Sequence, residues 1–390
     1  MENSVMDVVD LKAIANQFSD VNGVRGVEPL GNGIINDTYF VTTDSPTRPH
    51  FVLQKVNTQV FRQPHLVMEN MCILTEHISQ VLRKGDSAKE SLSRKSDTLR
   101  ERDRRWEVPG VLRTIRGENH YIDVENGFWR AISFIPESYS FDMIANQQQA
   151  QEIGYALGYF HYLIRDLSPQ RLADTLPGFH ITPIYLEAYQ RVLSQVSRPN
   201  RKSEFSHELK YCLQFVEERQ NWVSVLENAK NQGLLPLRLM HGDPKINNVM
   251  FDRQTHQSIS LIDLDTVKPG LIHYDIGDCL RSGCNLLGEE TEDWQRVVFD
   301  VDICQGILQG YLLVAPEFFT ENDYLYIYDA IRLIPFELGL RFLTDYLAGN
   351  VYFKVNYPEH NLARALVQFQ LTRSIETQEN SIRQIIQSFQ

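Results

Sequence analysis

The chain predicts an α+β fold of two lobes, a small antiparallel β lobe followed by a larger helical lobe. Three observations lead there. A length of 390 residues exceeds what one hydrophobic core usually supports. Period-2 apolar patterns crowd into residues 1–137, whereas residues 138–390 are dominated by apolar residues three and four apart. Within the second part, one irregular polar loop is framed by short apolar runs. The apolar and charged fractions, 43% and 23%, lie near globular averages and exclude a disordered, collagenous or coiled-coil chain.

After a short helical lead-in, GVRGVEPL, IINDTYFVTT and HFVLQKV read as strands between residues 23 and 56, broken by GNG and by DSPTRP. HLVMENMCILTEHISQVL then has the spacing of an amphipathic helix. Residues 85–108, polar and charge-dense, read as a mobile surface insertion. Strands resume in HYIDVENGFWRAISFIPES, hinged at Asn126-Gly127. Beyond Phe141, AQEIGYALGYFHYLIRDL, TPIYLEAYQRVLSQV and SHELKYCLQFVEERQNWVSVLENA predict helices. A strand-rich patch over 236–267 interrupts them before further helices run to the end. Two lobes of this kind place a site in the cleft between them.

Fifty acidic against 38 basic residues give a formal charge of -12, which argues against sequence-independent binding of nucleic acid or an anionic membrane surface. Five cysteines are too few, and an odd number, for a disulfide-stapled secreted module. No secretory signal and no run of eighteen apolar residues occurs, so the expected location is cytoplasmic.

The chemistry concentrates in HGDPKINN (241–248) and the following SLIDLD (260–265). Asp243 and Asn248 stand four residues apart within the loop. Asp263 and Asp265, two apart on an expected strand, point to one face. An Asp-x4-Asn loop followed by a further Asp is the set of parts that kinase-type phosphoryl transfer requires. One carboxylate orients an acceptor hydroxyl, while an amide oxygen and a second carboxylate are hard ligands for Mg²⁺. With an ordinary pKa of about 3.9, Asp243 cannot deprotonate a ground-state hydroxyl, so it aligns the nucleophile and takes the proton late.

HGDPKINNVMF, LIDLDTV and YDIGDCLR together resemble the catalytic segment of the aminoglycoside phosphotransferase and choline kinase superfamily, whose fold is related to protein kinases. Within it, GIINDTY, VLQKVNTQVF, FELGLRFLTDYLAGNVYFKV and HNLARALVQF look most like the N-acetylhexosamine 1-kinases. The resemblance implies ATP as phosphoryl donor, Mg²⁺ as cofactor, and the anomeric hydroxyl of an N-acetylhexosamine as acceptor. It makes Asp243 the catalytic base, and Asn248 and Asp263 the metal ligands. Asp275 then supports the loop backbone and His241 braces the loop. Asp265 is either a sugar or metal contact or a solvated carboxylate. Arg341 is a candidate for the sugar or its phosphate, against an ordinary helical salt bridge, and Arg281 is an ion-pair partner.

On the nucleotide side, Gly31 and Gly33 sit where a phosphate-covering loop would fold, although the third glycine of such a loop is missing. Phe134 and Ile135, in FIPES, fall at the position of an adenine-binding hinge. The resemblance sets Gln54 where the superfamily carries a phosphate-binding Lys or Arg, and Glu69 as that residue's partner. Lys55 faces the other side of the strand and cannot substitute for it. Two rivals stay open: a kinase for a cationic acceptor, and a non-catalytic binder of the same fold. Cys279, Cys284 and His273 lack the further ligands of a zinc site, and His161 reads as a core histidine.

Overall fold

The computed structural model describes residues 8–18, 23–31, 35–44, 49–91, 104–196 and 205–390. Its N-terminal part is a six-stranded antiparallel sheet crossed by two helices. In chain order these are α1 (Val8–Ala15), β1 (Val24–Pro29), β2 (Asp37–Thr43), β3 (Phe51–Val56), α2 (Pro64–Ser91), β4 (Val111–Leu112), β5 (Tyr121–Ile122) and β6 (Phe128–Ser133). The strand order is β1-β2-β3-β6-β4, with β5 also beside β6. The alternation of β3 explains why both faces are covered. Phe51 and Leu53 pack with Trp129 and Ala131 against Leu11 and Ile14 of α1, whereas Val56 and Phe128 join Val67, Met68 and Met71 of α2. Gln54 belongs to the α2 face and Lys55 to the other, where its ammonium lies 5.6 Å from the Trp129 ring centre.

Two features of this part differ from the sequence expectation. Residues 85–91 continue α2 instead of opening a loop, since Ala, Lys, Glu and Ser tolerate a helix already nucleated upstream. The end of the expected mobile insertion is anchored: Arg104 pairs with Glu152 at 2.6 Å, Arg105 with Asp252 at 3.0 Å, and Trp106 packs on Tyr159. The intervening 92–103 lie outside the described residues.

From Ser133 the chain passes through residues 134–137 into β7 (Ser138–Tyr139), which pairs with β9 (Val249–Asp252) and so joins the sheet part to the helical part. Before β9 come α3 (Gln147–Ile164), α4 (Thr182–Val196), α5 (His207–Arg219), α6 (Val225–Asn231) and β8 (Arg238–Met240). The stretch expected as one helix over 206–229 is therefore divided, with a 3₁₀ turn at Gln220–Trp222 between α5 and α6. β10 (Ser258–Leu261), β11 (Lys268–Gly270), α7 (Ile272–Gly283), α8 (Val301–Val314), α9 (Glu321–Leu325), α10 (Ile327–Leu347), α11 (His360–Thr377) and α12 (Glu379–Gln387) follow. α3 starts where the Asn146 side chain accepts the Gln149 N–H at 2.9 Å, one of the donors a helix start leaves open. α3 and α8 meet so closely that a Cβ on Gly154 would fall 1.8 Å from the Ile307 carbonyl oxygen. That approach lets α3 carry His161, and α8 carry Tyr311, to the underside of the loop at 241–248.

Candidate active site

A short hairpin nested within a second two-stranded pair presents the site. β8 pairs with β11 and β9 with β10, so the loop 241–248 and the turn 262–267 leave neighbouring strand ends together. Gly242 has φ +89, and a Cβ there would lie 2.8 Å from the Thr266 carbonyl oxygen. Only glycine satisfies both the left-handed backbone and that contact. The Thr266 hydroxyl donates to the His241 carbonyl at 2.8 Å, tying the two segments directly.

Asp275 lies fully buried at the start of α7 beneath the loop. Its Oδ2 accepts the His241 N–H at 2.6 Å, its Oδ1 the Gly242 N–H at 2.7 Å, and Oδ2 also accepts from the His161 ring at 2.8 Å. Burial alone would raise its pKa, but the hydrogen bond and charge of His161 hold the carboxyl below the usual range. His161 is thus a core histidine with a task, its second nitrogen meeting the Tyr311 hydroxyl at 2.9 Å. The His241 ring is fixed as the neutral form: Nε2 donates to the Ile262 carbonyl and Nδ1 accepts the Asp243 N–H. Burial correspondingly lowers its pKa.

Asp243 is the exposed end of this frame, with 28% of its side chain accessible. Burial pushes its pKa up, but the Lys245 ammonium at 2.9 Å outweighs this and the net shift is downward. Lys245 was not singled out in the sequence, although a lone cation two residues from the loop aspartate was the signal available. The Asn248 amide donates to the Asp243 carbonyl at 2.8 Å, which leaves its Oδ1 without a partner among the described residues. Asp263 stands close by with φ 65 and ψ 58. Partial desolvation between the surrounding segments and the charges of Asp265 and Asp243 push its pKa up to about 7. An amide oxygen and a carboxylate whose charge is resisted by its neighbours suit a hard divalent cation that keeps water and phosphate as further ligands.

Several candidates sit elsewhere than expected. β10 ends at Leu261, so Asp263 and Asp265 are not on a strand, and the left-handed backbone of Asp263 breaks the alternation that would have aimed both carboxylates one way. Asp265 is 3% exposed; it is ion-paired with Arg130 and accepts from the Asn36 amide at 2.7 Å, so neither solvent nor a sugar reaches it. Glu69 is exposed, and its neighbour Asn70 turns inward to the carbonyls of Ala173 and Val267. Gln54 donates to the Thr38 hydroxyl at 3.1 Å and accepts from Arg130 at 2.9 Å. Gly31 has φ +69 at the β1–β2 turn, and Gly33 lies outside the described residues. Phe134 packs on Phe40, while the buried Ile135 has its carbonyl taken by the Ser138 hydroxyl at 2.6 Å.

On the opposite wall, α10 carries Arg341 among three aromatic rings, Phe179, Tyr185 and Phe353, with centres 5.1 to 5.5 Å away. It makes no ion pair among the described residues, and it lies within electrostatic reach of Glu337, one turn back on α10, and of Asp243. Arg281 is buried against Asp278 and Glu289, at 2.9 and 2.8 Å. His180 was not anticipated. Held at φ +64, it spans from the Gly242 carbonyl at 2.7 Å to Glu337 of α10 at 2.9 Å. With both ring nitrogens facing acceptors, both must donate, and the ring is an imidazolium. Burial lowers its pKa, but Glu337 overrides this and the net shift is upward.

A kinase-like phosphotransferase is the class that this fold and loop define. An aminoglycoside phosphotransferase from Alicyclobacillus acidocaldarius has a similar structure, with a TM-score of 0.61 at 14% identity over 96% of each chain. A choline kinase from Cryptosporidium parvum matches with a TM-score of 0.57 at 14% identity, over 97% of this chain and 98% of that one. An ethanolamine kinase from Plasmodium vivax matches at 0.55 and 15%, over 94% and 90%. Residues 26–300 match the family model of the phosphotransferase enzyme family (APH), and the chain belongs to that family. It is a small-molecule phosphotransferase with the fold of the aminoglycoside, choline and ethanolamine kinases. Among the described residues, no helix is long and apolar enough to cross a membrane.

Proposed function

We propose that the protein transfers the γ-phosphoryl group of ATP to the anomeric hydroxyl of an N-acetylhexosamine, giving the sugar 1-phosphate. Residues 1–137 hold the nucleotide and residues 138–390 carry the catalytic loop and the acceptor. Asp243 accepts a hydrogen bond from the acceptor hydroxyl and receives its proton as the new bond forms; its lowered pKa keeps it ionised for that task. Lys245 stands beside it, where negative charge gathers on the transferring group. Asn248 and Asp263 would hold Mg²⁺, which neutralises phosphate charge when bound. Asp275, His241 and His180 fix the loop so that these groups need not reorganise during reaction.

The observation that carries the acceptor class is the cation on α10, Arg341, within electrostatic reach of Asp243. A pocket for a cationic amino alcohol or an aminoglycoside needs unengaged carboxylates or aromatic faces free of a resident cation, and the rings of Phe179, Tyr185 and Phe353 already face Arg341. Four of the carboxylates on the C-terminal helices are occupied. Asp323 pairs with Arg238, Asp329 with Arg332, and Glu337 binds His180 and Thr182. Asp345 accepts the backbone N–H groups of residues 351–353. Arg341 makes no ion pair among the described residues, and its planar donors suit a neutral, oxygen-rich acceptor. Gln54 motivates one other reading, a protein of this fold that binds without turnover.

ATP consumption with Mg²⁺ tests both. Turnover with N-acetylglucosamine or N-acetylgalactosamine, but not with their 1-O-methyl glycosides, supports the anomeric kinase. Turnover only with choline or an aminoglycoside removes the sugar, and binding without any product favours the non-catalytic reading.

A further inference from the structure

We propose that Arg130 and Asp265 form a clasp between the N-terminal sheet and the metal-binding turn, with the sheet's cation placed on β6 instead of β3. The inference rests on reading 241–265 as a phosphoryl-transfer site. Both residues act by positioning: neither is assigned a contact with substrate.

The register supports the relocation. Gln54 and Arg130 are directly opposed across β3 and β6, so their side chains share the α2 face of the sheet. Gln54 is held by Thr38 on one side and accepts the Arg130 Nε–H on the other, so the glutamine orients the guanidinium. The guanidinium runs on to the Asp265 carboxylate, with Arg130 1% and Asp265 3% exposed. The other Asp265 oxygen accepts from Asn36, whose own carbonyl accepts the Asn57 N–H at 2.9 Å. Asn36 stands at the foot of the β1–β2 turn. Two separate points of the sheet therefore grip one side chain, two residues beyond Asp263. α2 grips the same turn through Asn70 and the Val267 carbonyl.

A buried ion pair with this geometry does not arise from surface complementarity, because each charge is costly there without the other. The pairing makes a specific signature: removing one charge harms more than removing both. Its purpose at this place follows from the chain. Asp263 has a left-handed backbone that a carboxylate residue does not favour, and the grip on Asp265 holds the turn in that form.

The test is calorimetric titration of Mg·ADP and of metal-free ADP into the full-length protein and four variants: Arg130→Met, Arg130→Lys, Asp265→Asn and the double variant Arg130→Met/Asp265→Asn. Arg130→Met and Asp265→Asn should each weaken Mg·ADP by about 10-fold or more, the range of an ordinary coupling between sites. Metal-free ADP should change little. The double variant should recover most of the loss, and Arg130→Lys should fall between. Should Arg130→Met fail to fold, Asp265→Asn and Arg130→Lys carry the same comparison. Losses that simply add in the double variant, or an equal loss for metal-free ADP, overturn the clasp; the latter would make Arg130 a phosphate contact. An unsubstituted protein that binds no Mg·ADP overturns instead the phosphoryl-transfer reading on which the clasp depends.

Discussion

Substituting Asp275 by asparagine separates support of the loop from chemistry in it. The two backbone N–H groups it accepts, those of His241 and Gly242, fall on different oxygens of the carboxylate. An amide offers one acceptor oxygen and one donating NH₂. Whichever way it turns, one backbone N–H faces another donor in a site closed to water. Leaving that N–H unsatisfied costs about 1–3 kcal/mol. The surviving bonds lose the ionic character that makes such contacts roughly twice as strong as neutral ones. Together the substitution should cost about 2–5 kcal/mol of stability, adding a comparable loss to the first. Equilibrium urea unfolding followed by tryptophan fluorescence reads this as a lower midpoint. Turnover should fall as well, because Asp243 then rides on a loosened loop. An Asp275→Asn protein that unfolds at the original urea concentration and yet has lost turnover would refute the buttress and put Asp275 in the chemistry.

Asp243→Asn should lower turnover by about 10²- to 10⁴-fold, the usual weight of a general base, with Mg·ADP affinity in calorimetry nearly unchanged. Lost nucleotide affinity in that variant would make Asp243 a metal ligand. Gly242→Ala forces a Cβ into the Thr266 carbonyl at φ +89, and the left-handed backbone alone costs about 1–2 kcal/mol, visible as a lower melting temperature. Arg341→Met should raise the acceptor KM by about 10- to 100-fold, the worth of a lost charged hydrogen bond, and leave the ATP KM alone. For His180 the folded pKa is raised, so its contribution is complete below the unfolded value of about 6.5 and is lost as pH climbs through the folded one. The stability gap between the unsubstituted protein and His180→Gln should therefore be constant in mild acid and shrink at alkaline pH; a gap that widens with pH contradicts the imidazolium.

The parts of this fold that were legible are those whose signal is local. β1 to β3, α2 and α4 follow from side-chain period, and the turn at Asn126, with φ 64, follows from the Asn-Gly pair. The loop at 241–248 stood out because kinase-type chemistry needs named residue types at short spacing, and the structure gathers Asp243, Asn248 and Asp263 together. What escaped depends on distant partners. Arg104 and Trp106 look like loop residues until Glu152 and Tyr159 are beside them. The left-handed backbone of Asp263 has no glycine to announce it, so a strand was expected there and two carboxylates were given one face. Arg130, a charge inside the apolar run FWRAIS, was a visible anomaly. Its meaning required the register that sets it opposite Gln54.

Four aspartates within 33 residues of one another illustrate how far environment separates identical groups. Asp275 receives two N–H groups and a histidine, and so serves as framework. Asp265 receives a guanidinium and an amide and is closed to any ligand. Asp243 receives Lys245, is held ionised and stays accessible, as an acceptor-orienting carboxylate must be. Asp263 accepts no hydrogen bond among the described residues and is exposed, and its pKa is pushed up to about 7 by partial desolvation between the surrounding segments and by the charges of Asp265 and Asp243. Three of the four charges are thus compensated by the chain itself. Asp263 has only the charges of Lys245 and Arg130 at longer range against it, and it stands near the Asn248 amide oxygen, which accepts nothing among the described residues. Asp263 is exposed at the start of the turn, where a hard cation could reach it together with the Asn248 amide oxygen. On the proposed function that compensation would come from a bound cation, and the metal-bound nucleotide would then precede the acceptor, whose hydroxyl would meet an Asp243 that Lys245 already holds ionised.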